Sequence, residues 1–210
     1  MNRGRFITLE GGEGAGKSTQ GALLADALRA QGREVVLTRE PGGTPGAEAV
    51  RALLLDPQGT AWSLRSEALL FAAARANHVE AVIHPALERG AWVLCDRYID
   101  STRAYQGGEG RLDDAEIMTL HRFATGDLLP HLTLLIEVSP EDVAIRLSQR
   151  DAAGSDRIGG RDAAFHAGVA RRFAEIAQAE PHRVSRIDGT GAAAEVHERI
   201  MAVVSERLGA

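Results

Sequence analysis

Gly11-Gly12-Glu13-Gly14-Ala15-Gly16-Lys17-Ser18 is the stretch that decides the fold. It fits G-x-x-x-x-G-K-[ST] and stands between an extended apolar run, Phe6–Glu10, and a segment of helical period. In that segment Leu23, Leu24, Ala27 and Leu28 form an apolar stripe that stops at Gly32. Glycines here let successive backbone N–H groups converge on phosphate oxygens, and the helix N-terminus adds partial positive charge. Lys17 is then placed to bridge β- and γ-phosphates, and Ser18 to bind Mg²⁺. The expectation is a nucleoside triphosphate site made by Gly11, Gly12, Glu13, Gly14, Ala15, Gly16, Lys17, Ser18 and Thr19. No N-K-x-D segment of the kind that reads guanine in GTPases accompanies it.

Working outward, β-rich runs recur at Glu34–Thr38, Trp92–Asp96, Leu132–Val138 and, more weakly, Arg183–Asp188. Helix signals lie between them. Ser139-Pro140-Glu141-Asp142 combines a capping serine, a proline at the first position and acids in the first turn. Asp113 with Glu116 opens another helix, and a last one spans about Ala193 to Leu208. Alternating strands and helices predict an α/β, P-loop NTPase fold: about five parallel strands with helices on both faces. Residues 1–210 read as one domain, with a Gly-, Arg- and Asp-rich lid at about 150–161. In such sheets ligands bind at the carboxyl ends of strands. The polar motifs do follow the strands: Gly11–Thr19, Arg39–Thr44, Asp96–Gly108 and Asp188–Gly191.

A chain of 210 residues with 44% hydrophobic and 25% charged residues suits one soluble globular domain. Its formal charge of −5 argues against nucleic acid or an anionic membrane as partner, so any anion site must be built locally. A single cysteine, Cys95, excludes a disulfide framework and points to a reducing, cytoplasmic setting. Met1–Arg5 is short and polar, no secretory segment is expected, and the longest apolar run, Ala68–Ala74, is too short to span a bilayer.

Asp96 ends its strand where a carboxylate stands near a metal, and Arg97-Tyr98 follows. Arg39, Arg51 and Arg75 accompany the other strand-end loops. Any one of them alone also has a reading as a solvated surface charge, and for Arg51 the two readings weigh equally. Together they suggest a second phosphate opposite the glycine loop, as a kinase acting on a nucleotide requires.

At this point the sequence resembles the bacterial thymidylate kinases over nearly its whole length. The residues that carry the resemblance are Phe6–Thr19, Thr38–Thr44, Leu69–Leu87, Asp96–Gly107 and the Asp156-Arg157-Ile158 of the lid. It implies an ATP·Mg-dependent phosphorylation of dTMP to dTDP. Phe71 is similar to the aromatic that stacks on thymine, and Arg75 to the donor to its exocyclic oxygen. Arg97 resembles the ligand of the dTMP phosphate, with Arg51 and Arg39 as helpers and Pro41 in the same loop. Tyr105 matches the residue that packs on deoxyribose; Ser101 and Gln106 match polar residues of the base pocket. Glu10 and Asp96 match carboxylates near the metal and the acceptor. Phe71 and Tyr105 also fit helix core positions, and that alternative stays open. Glu13 in the glycine loop implies a catalytic arginine from the lid, Arg150 or Arg157, with Arg161 nearby. Relatives commonly carry Glu after Asp-Arg-Ile, whereas this chain has Gly159. The resemblance further implies a homodimer through helices near Ala72–Ala86. The competing readings are another nucleoside monophosphate kinase and a non-catalytic ATP-binding switch.

Overall fold

The computed structural model describes residues 4–108, 110–139, 142–143, 146 and 157–209. Five parallel strands, β1 (Arg5–Glu10), β2 (Val35–Arg39), β3 (Trp92–Asp96), β4 (Leu132–Glu137) and β5 (Val184–Asp188), lie in the order β2-β3-β1-β4-β5. The chain moves out to β2, back to β3, and then across β1 to β4 and β5. That reversal beside β1 opens the crevice in which such sheets bind ligands. Register brings the polar strand ends together there: Leu9 and Arg39 both pair with Asp96, and Glu10 with Leu135.

The helices are α1 (Lys17–Ala30), α2 (Pro45–Leu55), α3 (Leu64–His78), α4 (His84–Glu88), α5 (Ile99–Tyr105), α6 (Asp114–Thr125), α7 (Ala163–Ala179) and α8 (Ala193–Leu208). α3 passes into α4 through a π-helical turn, Val79–Ile83. Alternate strand residues enter opposite cores. Ile7, Leu9, Leu94 and Leu134 pack with Leu24 and Leu28 of α1 and Ile200 and Val204 of α8. Phe6, Val93 and Cys95 face the other way, with Ala68, Ile83, Ile99 and Ile117. Burial on both faces is why these strands read as near-continuous apolar runs. The stripe of α1 differs from the sequence expectation: Gln20, Gly21, Leu24, Ala25 and Leu28 are buried, while Leu23 and Ala27 are half-buried. Burial of Lys17 at the first residue fixes the rotation of the helix, and 17, 20–21, 24 and 28 then share one face.

Local chemistry sets the helix starts. The Thr44 side chain accepts from Ala47 N with Pro45 in the first turn, and Asp113 N donates to Glu116 at 3.1 Å. Ser139 Oγ accepts from Asp142 N at 3.1 Å; Pro140 and Glu141 lie outside the described residues. Among the described residues no helix is long and apolar enough to cross a membrane.

α5 is seated by a buried ionic network. Asp100, 1% exposed, accepts from Arg183 at 2.7 and 2.9 Å, from Arg103 at 3.1 Å and from Thr133 Oγ1 at 3.1 Å. Burial alone would raise its pKa, but the Arg183 bonds and the two guanidinium charges hold it below the usual carboxylate range. Asp100→Ala removes the buried carboxylate that Arg103 and Arg183 share; Arg103 keeps Asp114 and Glu180 and Arg183 keeps Glu180, so a loss at the lower end of about 3–5 kcal/mol in urea unfolding is expected. A loss under about 1 kcal/mol would show the network to be peripheral.

Candidate active site

The glycine loop closes on the sheet at Gly11. Its φ of 136° suits glycine, and a Cβ there would stand 2.4 Å from Ile136 O. Lys17 Nζ donates to Gly11 O at 3.1 Å and Gly12 O at 2.7 Å. Its ammonium is buried, and burial followed by the charge of Arg97 pulls it down to about 7 from an ordinary 10.5. Ser18 Oγ donates to Asp96 Oδ2 at 2.6 Å, which places a hydroxyl and a carboxylate of hard oxygen character side by side at the start of α1.

Glu10, fully buried at the end of β1, turns toward α5. Its Oε1 accepts from Tyr98 N at 2.7 Å and Ser101 N at 3.3 Å, and its Oε2 from Ser101 Oγ at 2.6 Å. Burial, then the neighbouring Asp100, push it up to about 7 from 4.5; Ser101, Arg97 and the Tyr98 amide oppose this. The two shifts act on stability in adjoining windows. Folded Glu10 binds more protons than unfolded between 4.5 and 7, so its contribution falls as pH rises there. Folded Lys17 binds fewer between 7 and 10.5, so its contribution grows with pH there.

Arg97 links this loop to a neighbouring cleft. Its backbone lies at φ 70°, a region a bulky residue adopts only under constraint. Arg97 Nη1 donates to Gly11 O and to Ser101 Oγ, each at 3.1 Å, and the guanidinium lies 5.1 Å from the Tyr105 ring centroid. The cleft beyond it, about 590 Å³ counted to its mouth, is lined by Pro41, Arg51, Phe71, Arg75, Arg97, Ser101, Tyr105 and Gln106. Glu13, Glu40, Leu55, Tyr98, Thr102 and Ile158 complete the wall. Phe71 and Tyr105 also pack in the apolar cluster of α5 and α7, so for both the core and cleft readings hold together. Arg51 Nη1 reaches Pro41 O at 2.8 Å. Arg39 lies outside the lining: its exposed guanidinium pairs with Glu48 at 3.1 Å.

Arg75 is 2% exposed and held from behind. Its Nε donates to Glu40 Oε2 at 2.8 Å and its Nη2 to Thr102 Oγ1 at 2.9 Å. His78 Nδ1 lies 3.0 Å from Glu40 Oε1, and its Nε2 2.7 Å from Thr38 Oγ1. Glu40 and His78 were missed from the sequence, although Glu40 stands in the Arg39–Thr44 loop. Cys95 is buried, which pushes its thiol up and makes it a strand residue rather than a nucleophile.

Arg150 lies outside the described residues. Arg157 donates to Leu54 O at 3.1 Å and Thr60 O at 2.8 Å and lies 3.5 Å from Glu67 Oε1, so its guanidinium caps the end of α2. Arg161 pairs with Glu67 and lies 4.7 Å over the Phe165 ring. Besides Arg97, Arg146 is found on the loop among the described residues, unnoticed in the sequence; it donates to Gly14 O, Ala15 O and Gly189 O. Its spacing of four from Arg150 on a helix start was the available signal. Gly159 also gains a physical reason. A Cβ there would lie 2.6 Å from the carboxyl carbon of Glu13, so any larger residue at 159 would require that side chain to turn aside.

A phosphate cradle facing a cation-lined cleft is the plan of a nucleotide kinase, and comparison with known proteins gives it a family. The thymidylate kinase family model matches residues 9–200. A thymidylate kinase of Rhizorhabdus wittichii is 52% identical over 98% of this chain and 99% of its own. One from Caulobacter vibrioides is 46% identical over 100% of both. The crystal structure of thymidylate kinase from Ehrlichia chaffeensis superposes with a TM-score of 0.75 at 34% identity, over 96% of this chain and 99% of that one. By sequence along its full length and by the arrangement of its strands, this chain belongs to the thymidylate kinase family.

Proposed function

We infer that the chain transfers the γ-phosphoryl group of ATP·Mg to dTMP, forming dTDP. The observation that carries this is Arg97, which touches the glycine loop at Gly11 O and lines the cleft at the same time. A cation in that position neutralises two anionic groups brought into line. The acceptor phosphate is ionised near neutral pH, so no general base is needed; alignment and charge neutralisation suffice.

In this reading Lys17 leaves the carbonyls of Gly11 and Gly12 for the donor phosphates, and Arg146 flanks the same loop. Arg97, with Arg51, holds the acceptor phosphate. Phe71 and Tyr105 pack on base and sugar, and Arg75 and Gln106 face the base. Magnesium keeps waters and phosphate ligands and needs only one or two protein groups. The Ser18–Asp96 pair has that chemistry and would hold it, and the metal would supply charge neutralisation between the phosphates. Glu10 serves as the cap of α5 rather than as a ligand. For the lid, Arg150 remains the candidate at the transferring group, because Arg157 would first have to give up Leu54 O and Thr60 O. A homodimer fits the exposure of Leu69 (55%) and Phe123 (94%) on the adjoining helices α3 and α6, and a cytoplasmic setting fits the single buried cysteine. Release of ADP measured with dTMP, dUMP, UMP, CMP and AMP tests the assignment. dTMP is expected to be the best acceptor, and preference for any other would replace it.

Arg97→Ala should lower kcat/KM for dTMP by about 10²-fold or more while leaving ATP affinity within a few-fold, since a buried anion loses its partner. A change confined to the KM of ATP would move Arg97 to the donor side.

Lys17 generates a proton-linked prediction. Near pH 8 the buried amine is largely neutral, and a polyphosphate beside it restores its charge, so ATP binding should take up close to one proton. Calorimetry in buffers of different ionisation enthalpy reads that uptake directly. It should fade below pH 7 and be missing in Lys17→Met; heats independent of buffer at pH 8 would contradict it.

A further inference from the structure

Two buried polar atoms of the cleft, Tyr105 Oη and Gln106 Oε1, lack a hydrogen-bond partner among the described residues, and the orientation of the second has an identifiable cause. Gln106 is 0% exposed and lines the cleft, and its Oε1 has no hydrogen-bond partner among the described residues. Its other end is accounted for: Nε2 donates to Glu67 Oε2 at 3.1 Å. Glu67, on α3 and 1% exposed, is itself held by Arg161, which donates to its other oxygen. A carboxylate paired with arginine only accepts hydrogen bonds. It therefore compels the Gln106 amide to present NH₂ to α3 and its carbonyl oxygen elsewhere. An unsatisfied buried acceptor costs free energy unless a ligand donor meets it. Arg75, on the same helix and the same cleft wall, can only donate. It too is fixed from behind, by Glu40 at 2.8 Å. Arg75 and Gln106 thus present one donor and one acceptor side by side on this wall, each held by a buried carboxylate.

We propose that Glu67 is a positioning residue that sets the amide polarity of Gln106, so that the cleft selects a pyrimidine carrying a ring N–H beside a carbonyl over one carrying a ring acceptor beside an amino group. Thymine has the first pattern and 5-methylcytosine the second, with methyl, sugar and phosphate unchanged. This rests on the thymidylate reading above and adds the group that enforces it. Glu67 touches neither substrate; it acts through Gln106.

The test compares kcat/KM for dTMP and for 5-methyl-dCMP in the wild-type chain, in Glu67→Gln, and in Glu67→Gln combined with Gln106→Glu. A site built to pair with a ring N–H rejects the analogue without it strongly, so the wild-type preference for dTMP should be about 10²-fold or more. In Glu67→Gln the neighbouring group can donate as well as accept, the Gln106 amide is free to turn over, and the preference should fall by about tenfold or more. The loss should appear mainly in the KM of the acceptor, with the KM of ATP unchanged. The combined variant again faces the base with an acceptor that receives N–H from behind, and it should recover the dTMP preference. That recovery is not expected if Glu67 only stiffens α3. A ratio in Glu67→Gln equal to wild type, with dTMP turnover intact, overturns the inference alone. Absence of dTMP turnover in the wild-type chain overturns the reading beneath it and the inference with it. Should Glu67→Gln fail to fold, the combined variant decides: retained preference supports the inference, and a collapsed ratio overturns it.

Discussion

The carboxylate of Glu10 joins the two halves of this active site. It closes the central strand just before the glycine loop, and it accepts both N–H groups and the Ser101 hydroxyl at the start of α5. α5 has seven residues, too few to be stable without outside contacts. Glu10 supplies acceptors to the N–H groups at its N-terminus, and Asp100, in the same first turn, adds a second anchor through Arg183 and Arg103. With α5 clamped at both points, Arg97 just before it is forced to φ 70° and its side chain is aimed between loop and cleft. The geometry that brings two phosphates together is thus a consequence of where one buried carboxylate finds its donors.

A protein of net charge −5 must assemble cations locally to hold two anions. It does so by burial. Lys17, Arg75 and Arg97 are all at least nine-tenths buried or line the enclosed cleft, and their N–H groups rest on loop carbonyls, Ser101, Thr102 or Glu40 until phosphates or a base compete for them. Each such cation is pre-oriented, so little ordering remains to be done when substrate arrives. Gly159, without a side chain, likewise stands directly against the carboxyl group of Glu13 in the glycine loop.

Much of this was legible in the sequence because the constraints are local. Strands buried on both faces must be apolar throughout, and a phosphate cradle must be glycine-rich, so β1, β3, β4 and Gly11–Ser18 stood out; the half-exposed edge strand β5 read more weakly. Most of the cleft followed from the resemblance, and the structure brings Arg51, Phe71, Arg75, Arg97, Ser101, Tyr105 and Gln106 into one wall. What stayed hidden is pairwise and distant. Glu40 meets Arg75, Glu67 meets Gln106 and Arg146 meets Gly14 across tens of residues, and no local pattern encodes such partners. One signal was available: Glu67, Phe71, Arg75 and His78 recur at spacings of four, four and three, which puts a carboxylate, an aromatic, an arginine and an imidazole on one side of α3. Arg39 was expected to help at the acceptor phosphate and Arg157 at the transferring group; in the structure Arg39 rests on Glu48, and Arg157 on the carbonyls of Leu54 and Thr60.

The central claim is that the acceptor nucleotide lies in the cleft bounded by Arg97 at one end and by Arg75 and Gln106 at the other. A crystal structure of the protein with dTMP measures this directly. The phosphate should contact the Arg97 guanidinium, with the thymine N3–H on Gln106 Oε1 and the 4-carbonyl facing Arg75. A dTMP phosphate seated away from Arg97, or a ring bound outside that wall, would contradict the account.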